Sequence, residues 1–180
     1  MRASLVPAPP GSGQLSDEAL AARAAAGDVA AFTNLVRRHE RRVRSFLARL
    51  TRGEGDEDLA QETFLKAWRT ASSWRGEGSY QGWLLRIAWR LFLSSRRGRR
   101  EAAVEAELPA AAADADMRID LERALAALPL RERAAALLCY GEGCSHAEAA
   151  AILDLPLGTL KSIVMRARAQ LMRQLEGQEG

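Results

Sequence analysis

The residues able to do covalent or metal chemistry are few and do not assemble into a reaction centre. Cys139, Cys144 and His146 follow C-x4-C-x-H, which offers three ligands where a structural zinc takes four. No fourth ligand stands nearby. Cys139 continues the apolar run "ALLCY" and is expected to be buried. Two cysteines make no disulfide framework. His39 lies near the apolar face of a long helical stretch, so packing is expected of it rather than ligation. No GxxxxGK[ST], GxSxG or HExxH occurs. The chain is therefore not expected to be an enzyme, and no metal or cofactor is expected.

The residue types favour recognition instead. Trp74, Arg75, Tyr80 and Trp83 bracket the glycine-bearing segment "SSWRGEGSY". Rings and a guanidinium so spaced suit an unstacked base, through stacking and cation–π contact. Trp83 also fits simple helix packing. Further on, Ser145-His146-Ala147-Glu148 matches a capping box, in which the serine caps the N3 amide and the glutamate reaches back. "LDLP" then makes a turn, and Pro156 suits the first turn of the helix that follows. In that helix Leu160, Val164, Ala167 and Leu171 form an apolar stripe. Thr159, Lys161, Ser162, Met165, Arg166 and Arg168 occupy the other faces. A short capped helix, a tight turn and a basic amphipathic helix compose a helix-turn-helix, whose second helix lies in the major groove of DNA. A helical hairpin with a charged outer face is the plainer alternative.

These segments need helices to hold them. Alanine and leucine dominate the 180 residues, and the prolines lie mostly outside periodic stretches, so the expected fold is all-α. Ser16 begins a first helix, which Gly27 and Asp28 break. A long helix follows, with Phe32, Leu35, Val36, Val43, Phe46, Leu47 and Leu50 on one face and six arginines on the others. A third helix is predicted from Leu59 to about Thr70, and a fourth from near Gln81 into "RRGRR". "EAAVEAELPAAAADADM" (Glu101 to Met117) carries little bulky apolar material and reads as a flexible acidic linker. The periodic pattern resumes at Arg118. The start, "MRASLVPAPPGSG", reads as a disordered leader. It has no h-region, and no apolar run approaches the ~20 residues of a membrane span. A cytoplasmic protein without membrane insertion is expected.

The net charge of +3 hides a segregation. Residues 29–100 carry 16 Lys/Arg against 7 Asp/Glu, whereas residues 101–122 carry 1 against 7. A basic half suits a polyanionic partner.

"EDLAQETFLKAWR" (Glu57 to Arg69), "WRGEGSYQGWLLRIA" (Trp74 to Ala88) and "GTLKSIVMRARAQL" (Gly158 to Leu171) resemble, in order, three segments of the bacterial σ70-type initiation factors of the extracytoplasmic-function (ECF) group. The resemblance implies a disordered leader over 1–15, a σ2-like domain over 16–98, a linker over 99–117 and a σ4-like helix-turn-helix domain over 118–176. It implies a sigma factor that binds core RNA polymerase through the β′ clamp and the β flap and directs promoter-specific initiation. Asp58, Gln61, Glu62, Phe64 and Lys66 would meet the polymerase. Trp74, Arg75, Tyr80, Trp83 and Arg90 would meet the −10 element, and Thr159, Lys161, Ser162, Met165, Arg166 and Arg168 the −35 element of promoter DNA. An anti-sigma factor is expected as a further partner. Two positions depart from the family pattern. Arg90 stands where an asparagine is common, and Ile163 where an arginine is common, so that Ile163 gives up a phosphate or base contact unless it packs against a thymine methyl. The acidic linker would cross the polymerase's RNA path, with Glu105, Glu107, Asp114 and Asp116 imitating a nucleic-acid strand. The competing reading is a polymerase-independent helix-turn-helix regulator.

Overall fold

The computed structural model describes residues 15–53, 55–102 and 117–176, without the side chains of residues 99–102, 117–120 and 176. The leader up to residue 14 and the acidic linker residues Glu105, Glu107, Asp114 and Asp116 lie outside the described residues, as do the side chains of Arg99 and Arg100. Eight α-helices form the described residues: α1 (Asp17–Ala25), α2 (Val29–Thr51), α3 (Asp56–Arg69), α4 (Tyr80–Ala102), α5 (Met117–Ala127), α6 (Leu130–Ala136), α7 (His146–Leu153) and α8 (Leu157–Glu176). No strand occurs among them.

Side-chain caps account for several of the boundaries. Ser16 Oγ accepts the amide of Ala19 at 3.2 Å and starts α1. Asp28, read from sequence as a breaker, also starts the next helix, because its Oδ1 accepts the amide of Ala31 at 3.0 Å. Gly27 makes the intervening turn at a φ of 89°. The third helix begins three residues before the expected Leu59. It has no side-chain cap, but Asp56, Glu57 and Asp58 place three carboxylates at its positive end.

α1–α4 form one bundle and α5–α8 a second. In the first, Leu35, Val43, Phe46 and Leu47 of α2 are fully buried with Leu84 and Leu85 of α4. His39 packs there as expected, 6% exposed, with Nε2 2.7 Å from Asp17 Oδ2. In the second, Leu128, Leu138 and Leu160 fill the centre. A buried guanidinium, that of Arg133, donates to the carbonyls of Ala126 at 2.7 Å and Leu128 at 3.2 Å. It thereby satisfies the end of α5, which would otherwise bury bare carbonyls.

The two bundles are packed together, which the reading of a flexible linker between separate domains did not anticipate. Their buried apolar residues form one continuous cluster. α7 lies on α4, and α5 and α6 lie on α2. Arg49 Nε pairs with Glu122 Oε1 at 3.0 Å, and Arg52 donates to the Ala126 carbonyl at 2.7 Å.

Candidate nucleic-acid interface and partner groove

A groove of about 590 Å³ runs between α2 and α3. Val29, Phe32 and Val36 form one apolar wall, and Ala60, Phe64, Leu65 and Trp68 the other. Phe32 and Trp68 meet with ring centroids 5.0 Å apart and tie the walls together. Glu40, Arg44, Glu57, Asp58 and Gln61 add polar groups to the lining, with Arg44 bonded to Glu57. Exposed apolar surface with a polar border is the composition of a protein-binding patch. Of the residues expected to meet a partner, Asp58, Gln61 and Phe64 line this groove. Glu62 is exposed on α3 but is not part of the lining. Lys66 lies elsewhere, in a smaller cavity described below.

Sequence reasoning missed Val29, 65% exposed, and Leu65, 48% exposed. Leu65 sits between Phe64 and Lys66, outside the apolar stripe of α3. An isolated leucine on a polar face was the available signal.

The aromatic segment is built around Tyr80, the first residue of α4. Its ring lies 5.4 Å from that of Trp74, 5.3 Å from Trp83 and 5.6 Å from His39. Tyr80 is only 3% exposed, and burial pushes its phenol well above the ordinary range. It therefore holds the two tryptophans and offers no free face of its own, contrary to its expected part in stacking. Trp74 and Trp83 are half-buried, and Arg75 and Arg90 are exposed. Trp83 and Arg90 share a cavity of about 280 Å³ with Lys66, Thr70, Ser73, Ile87 and Leu91. An indole, two cations and two hydroxyls around one recess suit a nucleobase with its phosphate. Trp74, Arg75 and Tyr80 do not line it.

The helix-turn-helix forms as the spacing predicts. Ser145 Oγ accepts the amide of Glu148 at 3.2 Å, and Glu148 Oε2 accepts the amide of Ser145 at 3.0 Å. The Ser145 amide, with the Ser145 and Ser79 hydroxyls that also donate to its oxygens, holds the Glu148 carboxyl below the usual carboxylate range. Asp154 turns the chain in the left-handed region at φ 55°. Thr159, Lys161, Ser162, Met165, Arg166 and Arg168 are all exposed on α8. Met165 reaches 69% exposure, and Ser162 Oγ donates to the Gly158 carbonyl at 3.1 Å. Arg166 is held by Glu132 of α6, its Nε 3.1 Å from Oε1. Ile163 is buried at 4% exposure beside Leu160, Val164 and Ala167. It belongs to the packing stripe and cannot touch a thymine methyl in this arrangement.

Cys139 is half-buried, as is Cys144. Burial pushes both thiols up, Cys144 to about 12 with Glu148 and Glu142 adding to the rise. Among the described residues no cluster of three or more His, Cys, Asp or Glu side chains could hold a metal. No described helix is long and apolar enough to cross a membrane.

A helix-turn-helix in one all-α bundle and an open, apolar-walled groove in the other are the features of a DNA-binding factor with a surface suited to a second macromolecule. Its residues 35–102 match the Sigma-70 region 2 family and residues 118–171 the Sigma-70 region 4 family. The ECF RNA polymerase sigma factor SigE of Mycolicibacterium smegmatis is 38% identical over 82% of this chain, which spans 63% of that relative's length. The ECF RNA polymerase sigma-E factor of Haemophilus influenzae is 32% identical over 91% of this chain and 97% of its own. The sigma factor RpoE of Bartonella quintana, solved in complex with the anti-sigma factor NepR, superposes with a TM-score of 0.70 at 32% identity, covering 81% of this chain and 96% of that one. The chain belongs to the ECF sigma factors of the σ70 family.

Proposed function

We propose that the α2–α3 groove seats the helical β′ clamp of core RNA polymerase, and that the helix-turn-helix bundle sits on the β flap, so that the chain directs the polymerase to a promoter. One observation carries this reading: a single chain joins an open, apolar-floored groove to an exposed basic recognition helix. In the groove Phe64 and Leu65 supply apolar contact while Asp58 and Gln61 set register, and Glu62 adds a charge beside it. On DNA, α8 enters the major groove at the −35 element. Thr159, Lys161, Ser162 and Met165 face base edges there, and Arg166 and Arg168 hold phosphates.

Opening the −10 element requires no bond chemistry. The duplex breathes, and the factor captures a base that has left the stack. Trp83 stacks on that base at ~1–3 kcal/mol per base. Arg90 and Lys66 neutralise the adjoining phosphates, and Thr70 and Ser73 supply hydrogen bonds. Trp74 and Arg75 flank the strand, and Tyr80 holds both tryptophans in place. The units are a σ2-like domain over 16–98 and a σ4-like domain over 118–176, working in the cytoplasm without catalysis by this chain. An anti-sigma factor restrains it, by likeness to the solved complex with NepR. A polymerase-independent regulator would leave the groove without an occupant.

Gel filtration with bacterial core RNA polymerase tests the reading. The chain is expected to co-elute, and a Gln61→Ala/Glu62→Ala variant to co-elute more weakly. Elution of the folded chain alone would overturn it.

A further inference from the structure

The recognition face of α8 carries Lys161, Arg166 and Arg168, and the fold treats one of these cations differently. Lys161 and Arg168 have no acidic partner among the described residues. Arg166 has one: its Nε donates to Glu132 Oε1 of α6 at 3.1 Å. The fold sets both ends of this pair. Val164 and Ala167 bracket Arg166 and are buried, which fixes its backbone. Glu132 stands in the first turn of α6, where the amide end of a helix favours a carboxylate. Its side chain is 14% exposed, against 58% for Arg166. The neighbouring Arg133 is turned inward onto the Ala126 and Leu128 carbonyls and does not compete for it. α6 packs along α8, so the carboxylate is a fixed point to which the guanidinium is led.

A pair so open to water adds little to the fold. Its effect on a DNA contact is larger. With Nε–H occupied, the donors left on Arg166 are those of Nη1 and Nη2, held in one plane. An unpaired arginine gains from any phosphate within reach, whatever the sequence. Arg166 and Glu132 together carry no net charge, and a phosphate that approaches from the Glu132 side meets a carboxylate. Resting on the placement of α8 in the major groove, we propose that Glu132 is a specificity-determining positioning residue of promoter recognition: without touching DNA, it holds Arg166 by Nε so that the Nη edge takes one phosphate in one register, and it withholds that cation from phosphates in other registers. The result is discrimination between duplexes and not tighter binding to all of them.

The test compares Glu132→Ala and Glu132→Gln with the parent, each shown to fold by circular dichroism. Two duplexes serve as probes. One is selected from a random pool by the parent in complex with core polymerase, and the other is a scrambled duplex of the same length and composition. Free Glu132→Ala is expected to bind the scrambled duplex several-fold more tightly than the parent, with a plot of log K against log salt steeper by about 0.9, the mark of one further phosphate contact. In the polymerase complex, the ratio of selected to scrambled affinity is expected to fall several-fold. Glu132→Gln keeps an acceptor for Nε and loses the charge. It is expected to match the alanine variant on the scrambled duplex and to hold the selected duplex at least as tightly as the parent. A contact that only held α6 on α8 would weaken both duplexes together and leave the salt slope alone. That result, or a parent-like slope and ratio in Glu132→Ala, would overturn the proposal. If the parent complex selects no duplex, the assignment to promoter reading fails instead, and the free-chain salt slope still decides whether Glu132 restrains Arg166.

Discussion

Leu65 offers the sharpest test of the groove, because about half of its side chain stands open in the free chain for a partner to cover. Replacing it with alanine removes three carbon groups, each worth ~0.8 kcal/mol on full burial. With Leu65 48% exposed, about half of that gain remains to be made when a partner covers the groove, which gives about 1.2 kcal/mol. That corresponds to a roughly eightfold rise in Kd for core polymerase. The assay is a fluorescence titration of labelled Leu65→Ala against core polymerase at one fixed salt concentration, with the urea midpoint measured alongside. Met165→Ala serves as the contrast. It removes an apolar side chain that is 69% exposed on α8 and should leave polymerase affinity alone while weakening promoter binding. Polymerase affinity within twofold of the parent for Leu65→Ala, with an intact fold, would refute the groove as the docking surface.

Three further outcomes follow from the geometry. Ser145→Ala removes the hydroxyl half of the capping box at α7 and leaves the residue-145 amide on Glu148, and it should cost ~1 kcal/mol in urea unfolding; an unchanged midpoint would mean that the cap is redundant. Asp17 is raised by its partial burial, but the Arg38 bond and the His39 pair more than offset this and leave its carboxyl below the ordinary 3.8. A depressed carboxylate stabilises above its unfolded pKa, and that stability is lost as pH falls through the folded value. Asp17→Asn should therefore be less stable at pH 7 and lose less than the parent between pH 5 and pH 3, and equal losses over that range would refute the pair. Burial holds Cys144 at about 12, so a thiol-disulfide reagent at pH 7.5 should modify it at least about tenfold more slowly than free cysteine; rapid modification would reopen a redox role.

Local signals carried much of the molecule. The α2 stripe from Phe32 to Leu50, the Ser16 cap, the capping box at Ser145 and the apolar side of α8 were all legible, because each depends on neighbours within about one turn. Boundaries depending on geometry rather than residue type were less so. Asp28 looked like a breaker because its capping bond to Ala31 exists only once α2 has formed. Ile163 looked like a departure at a DNA-reading position because periodicity alone does not say which flank of a wide apolar stripe is covered.

By itself the sequence determined that the chain is helical, that it carries two apolar-periodic regions with an acidic stretch between them, and which residues lie on the basic face of α8. Those properties come from short-range periodicity, capping and composition, and they hold whatever the helices pack against. Only the tertiary structure decided that Tyr80 is a buried support, that Lys66 turns toward Trp83 and Arg90, that Leu65 stands open in a groove, and that Ser79 meets Glu148. Each of these is a meeting of residues distant in the chain or of separate helices. The packing of whole faces chooses such pairs, and no local pattern encodes the choice.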